Sequence, residues 1–178
     1  QNNYRDGSAL CINNFVGTTP GHRLLDLLKS RGVNPKCISL VSIDVDGNDL
    51  DIFENLGFTP PVILCEGGFN FSPLITDRVP SEIAAQNLQQ PLSVICASGL
   101  ERGYVPVCFY QDVYFVRRDL ATSFRNLSAV QLYEEAYCFM PEKYRDALIL
   151  LRKRSSKIRE IEIAFKGKFN QDPLADMC

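Results

Sequence analysis

The twelve residues from Ile38 to Asp49 constrain this chain more than any other stretch. Ile38 to Ile43 are almost all apolar or β-branched, the composition of a parallel-sheet strand covered on both faces. Directly after them Asp44, Asp46, Asn48 and Asp49 crowd around Gly47, and apolar residues resume at Leu50, Ile52, Phe53 and Leu56 with helical spacing. The sequence therefore predicts strand, acidic turn, helix. In open α/β sheets ligands lie just past the carboxyl ends of the strands, so chemistry is expected at this turn.

Pro61-Val62-Ile63-Leu64-Cys65-Glu66 repeats the pattern: a buried strand ending in a carboxylate, followed by Gly67-Gly68-Phe69-Asn70-Phe71-Ser72-Pro73. Two neighbouring strands that end in Asp44 and Glu66 predict a convergent polar site. The helix between them is closed by Gly57 and the Pro60-Pro61 pair. Upstream, Ala9 to Ile12 with Phe15-Val16 predict a short strand interrupted by Asn13-Asn14. Thr19 as N-cap and Pro20 at the first helical position predict a helix that runs to Ser30 or Arg31, before Gly32. Downstream, residues 72–91 predict an excursion over the strand ends, and Leu92 to Leu100 a helix ending near Gly103. Tyr104–Tyr110 and Asp112–Val116 are separated too briefly for a crossover, so they predict an antiparallel hairpin. Pro106 places its first strand at an edge or a bulge. From Leu120 the pattern is helical, with Leu132, Ala136 and Phe139 on one face and Ala147, Leu148, Leu151, Ile158 and Ile161 on another.

At 178 residues the chain can bury a genuine core. The pattern divides it into an α/β domain over 1–120, a helical appendage over 121–166 and a frayed tail from 167. Nineteen basic against twenty-one acidic residues, a net charge of −2, give no general attraction to nucleic acid or anionic lipid. The run Arg152-Lys153-Arg154 has acidic company at Glu160 and Glu162 and predicts a solvated helix face. No apolar run reaches the roughly 20 residues of a membrane helix. The seven cysteines show no CxxC pair and sit mostly in apolar segments, predicting buried, reduced thiols in a cytoplasmic protein, with Cys178 the candidate reactive thiol.

Asp44 either caps the helix that follows or faces a ligand crevice; for Asp49 the capping role is the stronger expectation. Gly47 suits a sharp strand-to-helix turn, which needs positive φ or close backbone approach whatever the function. The acidic turn does not fit an EF-hand, since the glycine is fourth rather than sixth from Asp44 and Asn55 stands at position twelve. A divalent cation on Asp44, Asp46 and Glu66 remains chemically reasonable. Glu66 suits a general base, a substrate-orienting group or a turn cap, and Asn70 a substrate ligand. His22, the one histidine, lies in the predicted first turn of a surface helix, so Ser/His or Cys/His machinery has no well-placed base.

The order helix, strand, helix, strand, helix, hairpin is that of the second half of class I S-adenosylmethionine-dependent methyltransferases. Ser42-Ile43-Asp44-Val45-Asp46-Gly47-Asn48-Asp49 resembles the strand end of FkbM-like members. Val62 to Glu66 with Asn70-Phe71-Ser72-Pro73, and Val113 to Leu120 with its Phe115-Val116-Arg117-Arg118-Asp119-Leu120 ending, resemble the two later motifs in the same order. The resemblance covers residues 38–120. It implies a Rossmann-like mixed sheet, mostly parallel with a C-terminal antiparallel hairpin, and methyl transfer to a hydroxyl of a sugar, other glycan or small metabolite. It further implies cofactor contacts at Asp44, Asp46 and Gly47, substrate contacts at Asn48 and Asn70, and catalytic roles for Asp44 and Glu66. The chain departs from the family in lacking the upstream glycine-rich cofactor turn: Gly17 and Gly21 flank Pro20 and fit neither GxGxxG nor a P-loop. Two expectations follow. The chain is a fragment of a longer enzyme, favoured by its start at Gln1, and binds S-adenosylmethionine weakly or not at all alone; or it is a non-catalytic half-domain whose residues 120–165 dock a partner or a second copy.

Overall fold

A computed structural model describes residues 9–80 and 89–154, the last four as backbone only. The predicted central strand forms as β1, Leu40–Ile43, and the second as β2, Val62–Glu66. Helix α2, Asp49–Glu54, crosses between them, and the two strands pair in parallel, Val41 beside Ile63 and Ile43 beside Cys65. Helix α3, Leu92–Glu101, leads into the hairpin of β3, Tyr104–Tyr110, and β4, Asp112–Arg117. β4 inserts antiparallel against β2, giving the order β1-β2-β4-β3.

The sheet is thus mixed but mostly antiparallel, with a single parallel pair, which corrects the expectation of a mostly parallel sheet. The physical reason is supply. Only two strands are joined by a helical crossover, and the tight hairpin can add its strands only antiparallel. Pro106 stands where predicted, on edge strand β3 at a register shift between Pro106 and Cys108.

The register aligns Val41, Ile63 and Phe115 in one row and Ile43, Cys65 and Val113 in the next. All six are buried and form the floor of the core. Phe53 of α2 lies on this floor with its ring 5.2 Å from Phe115 and 5.9 Å from Tyr104, and α3 adds Leu92, Ile95 and Cys96. Helix α4, Ala129–Phe139, opens with a capping box in which the Ser128 hydroxyl accepts from the Gln131 N–H and the Gln131 side chain accepts from the Ser128 N–H. It buries Leu132, Tyr133, Ala136 and Tyr137 in the same core. Helix α5, Glu142–Arg154, follows and buries Leu148.

Several sequence expectations are corrected. β1 is covered on one face only among the described residues: Val41 and Ile43 are buried, whereas Leu40 is 53% exposed and Ser42 lies open. An apolar composition cannot by itself distinguish one covered face from two. No strand forms over residues 9–16, where the Asn14 side chain accepts from the Phe15 N–H and turns the chain. Helix α1 covers only Leu24–Ser30, because Gly21 adopts φ 83° and leaves Thr19-Pro20 in a separate turn closed by the His22 N–H on the Thr19 carbonyl. Phe139 is 83% exposed rather than on the buried face, and Ala147 is exposed as well. Cys11, Cys37, Cys108 and Cys138 reach the surface; among the described residues only Cys65 and Cys96 are buried thiols. Residues 1–8, 81–88 and 155–178, with Ile158, Ile161, Cys178 and the predicted tail, lie outside the described residues, as do the side chains of Leu151 and the basic run. Among the described residues no helix is long and apolar enough to cross a membrane.

Candidate active site

Past its last buried residue, Ile43, β1 enters the acidic turn. Asp46 takes φ 53° and Gly47 φ 117°, two successive left-handed residues that swing the chain sharply from strand to helix. Asp is among the few side chains that tolerate this region, and at Gly47 the glycine is needed. The turn is held by Asp49, the first residue of α2. Its Oδ1 accepts from the Val45 N–H and its Oδ2 from the Gly47 N–H, both at 2.9 Å. Asp49 is 1% exposed. Asn48, at the N-cap, makes no side-chain cap bond, so Asp49 braces the turn preceding the helix instead of capping the helix.

The parallel register, continued one residue beyond the Ile43–Cys65 pair, puts Asp44 level with Glu66 and on the same side of the sheet. Glu66 in turn pairs with Asp112 across β2 and β4. Carboxylate oxygens of Asp44, Asp49 and Glu66 lie within 4.8 Å of one another. The predicted convergence of Asp44 and Glu66 is therefore present, with Asp49 as the third member in place of Asp46. Asp46 and Asn48 are solvent-exposed on the rim of the corner, and Asn70 is half-buried on the segment after β2.

Burial, and then like-charged neighbours, raise the affinity of a carboxyl group for a proton. Glu66 shows it most. Burial, and then the charges of Asp49, Asp44, Asp46 and Asp112, push its pKa up to about 7. Asp112 is raised as well, by burial and by Asp44 and Asp49. A carboxyl poised near neutrality can take or give a proton under physiological conditions, which suits general acid–base work. The three close oxygen donors also suit a hard divalent cation.

Sequence reasoning missed two contributors. Gln89, buried and at φ 55°, donates its amide N–H to Glu66. It is held near the corner by its neighbour Gln90, whose side chain both accepts from the Val79 N–H and donates to the Val79 carbonyl at 3.0 Å. Asp112 is the other, brought in by the hairpin. Gly67, directly after Glu66, allows that hairpin to close over it. A Cβ there would stand 2.8 Å from the Phe109 ring and 3.1 Å from Val113, and the Gly67 N–H donates to the Gln111 carbonyl at 2.8 Å. His22 takes no part: it is exposed, edge-on to Phe15 with ring centroids 6.0 Å apart.

No protein-family model, curated protein or solved structure matches this chain.

Proposed function

We propose that this chain forms the carboxylate-bearing half of an FkbM-like, Rossmann-like S-adenosylmethionine-dependent methyltransferase of the cytoplasm. It acts on a hydroxyl group of a sugar or small metabolite. The observation that carries this reading is the convergence of Asp44, Asp49 and Glu66 at the carboxyl ends of two parallel strands, with the Glu66 pKa near 7. A hydroxyl is a poor nucleophile until a base takes its proton, and a carboxylate aligned with it is sufficient. Glu66 is that base. Asp49 fixes the turn, and the Gln89 amide N–H orients the Glu66 carboxylate. Asp44, Asp46 and Gly47 line the cofactor side, with Asn48 and Asn70 toward the substrate.

The donor set fits the cofactor in part. Acidic groups suit its positively charged sulfur and its ribose hydroxyls, while among the described residues the corner supplies no cation for its carboxylate. When bound, S-adenosylmethionine supplies an electrophilic methyl group. Calorimetric titration of the intact gene product with S-adenosylmethionine tests the reading: saturable heat below millimolar cofactor supports it, and no heat at millimolar cofactor overturns it. In the same protein Glu66→Gln should slow methyl transfer by roughly 10²–10⁴-fold, the usual contribution of a positioned base.

A second reading, a non-catalytic interaction module, rests on the second face of the sheet. There Leu40 is exposed and Val62, Leu64, Tyr114 and Val116 are only half-buried. Apolar surface of this kind often marks a protein contact. This reading predicts self-association or partner binding that survives Glu66→Gln and requires no cofactor.

A further inference from the structure

At the end of the sheet opposite the carboxylates, an open cleft of about 580 Å³ lies between α1, the short 3₁₀ turn Pro35–Cys37 and the amino ends of β1 and β2. Leu25, Ile38 and Phe58 wall it, and Lys29, Lys36 and Arg117 supply its charge; no acidic residue lines it among the described residues. Both lysines border the cleft because α1 ends in a tight reversal. Gly32 at φ 70° donates to the Lys29 carbonyl, and the Val33 N–H donates to the Leu28 carbonyl, both at 3.0 Å. The Asn34 side chain then accepts from the Lys36 N–H at 3.1 Å and starts the 3₁₀ turn.

The three cations are not equivalent. Arg117 is engaged on every side, donating to both Asp119 carboxylate oxygens at 2.7 and 3.0 Å and to the Thr59 carbonyl at 3.2 Å. It is a neutralised wall. Lys29 and Lys36 form no ion pair among the described residues. The cleft is therefore lined by two lysines with no carboxylate partner among the described residues, beside the apolar side chains of Leu25, Ile38 and Phe58, in a volume typical of small-molecule sites.

We propose that this cleft binds a phosphate monoester whose organic part is apolar. Two ammonium groups match a phosphate dianion, and the walls receive the organic part. The site is separate from the carboxylate corner, a strand length of about 15 Å away by the rise of four to five extended residues, and it stands whether or not the corner transfers methyl groups.

Amide shift titration of the full chain at low ionic strength, with phenyl phosphate, inorganic phosphate and benzoate as probes, tests this. Phenyl phosphate should give saturable shifts centred on residues 25–38 and 57–61. Benzoate, with one charge, and inorganic phosphate, with no apolar part, should each bind roughly tenfold more weakly. The double variant K29E/K36E should weaken phenyl phosphate by about tenfold or more, while K29R/K36R keeps it, since each exposed charge contact contributes a modest but additive share. Both lysines are exposed, so neither variant threatens the fold. Absence of saturable shifts at millimolar phenyl phosphate, equal affinity in K29E/K36E, or benzoate binding as tightly as phenyl phosphate would overturn the proposal.

Discussion

Glu66 keeps its proton to about pH 7 because burial and four neighbouring carboxylates oppose its charge. Its ordinary value is 4.5, so between these two pH values the folded chain binds a proton that the unfolded chain has released. Stability from this group is complete below about pH 4.5 and is lost as pH rises through 7. Glu66→Gln removes the dependence. Urea denaturation should therefore find the variant more stable than the parent above pH 7, by about 1 kcal/mol once the full linkage is discounted for the solvent that reaches Glu66, and the gap should close by pH 4.5. Asp49 has the opposite character. It is fully buried and accepts two backbone N–H groups, so Asp49→Ala strands both and should cost about 2–4 kcal/mol by the same measurement. The carboxylates Asp44 and Glu66 could be read from the chain because each ends an apolar run. The bracing role of Asp49 could not, since the same residue type at the same position also caps helices. Gln89 and Asp112 were invisible because they reach the corner from 23 and 46 residues beyond Glu66, by way of Gln90 and the hairpin.

Elements were legible where a continuous pattern was closed by a residue with one conformational consequence. β1, β2, α3 and both hairpin strands stand within two residues of their sequence bounds, with Gly57 and Gly103 at positive φ where the helices stop. The early segment misled for a physical reason: Thr19-Pro20 starts helices well, yet Gly21 at φ 83° interrupts before the apolar face begins. Phe139 fitted a helical stripe but falls in the last turn of α4, beyond the core that Tyr133 and Tyr137 fill. Packing between elements was beyond the pattern altogether. Gly67 shows it, since the hairpin passes so close that Gly67→Ala sets a methyl 2.8 Å from the Phe109 ring. Thermal or urea unfolding of Gly67→Ala should show a loss of about 1–3 kcal/mol from overpacking, with the Gln111 side of the corner displaced.

Across the whole molecule the near-balanced net charge of −2 conceals a division. Asp44, Asp46, Asp49, Glu66 and Asp112 gather at the carboxyl ends of the parallel strands, while Lys29, Lys36 and Arg117 line the cleft at the other end. Composition reports only the sum, and the separation arises from the sheet, which orders residues by height along the strands. The same sheet explains why a parallel architecture was expected and a mostly antiparallel one formed: the β1–α2–β2 unit reads as parallel α/β, and where a later hairpin inserts is decided by tertiary packing. The claim on which the account rests is that this packing holds Asp44, Asp49 and Glu66 in one mutually repelling cluster. The most direct measurement is the carboxyl titration of Glu66 by carbon-detected nuclear magnetic resonance, in the parent and in Asp44→Asn. A midpoint near 7 in the parent that falls when the Asp44 charge is removed is the result predicted. A midpoint close to 4.5, unmoved by Asp44→Asn, would contradict it.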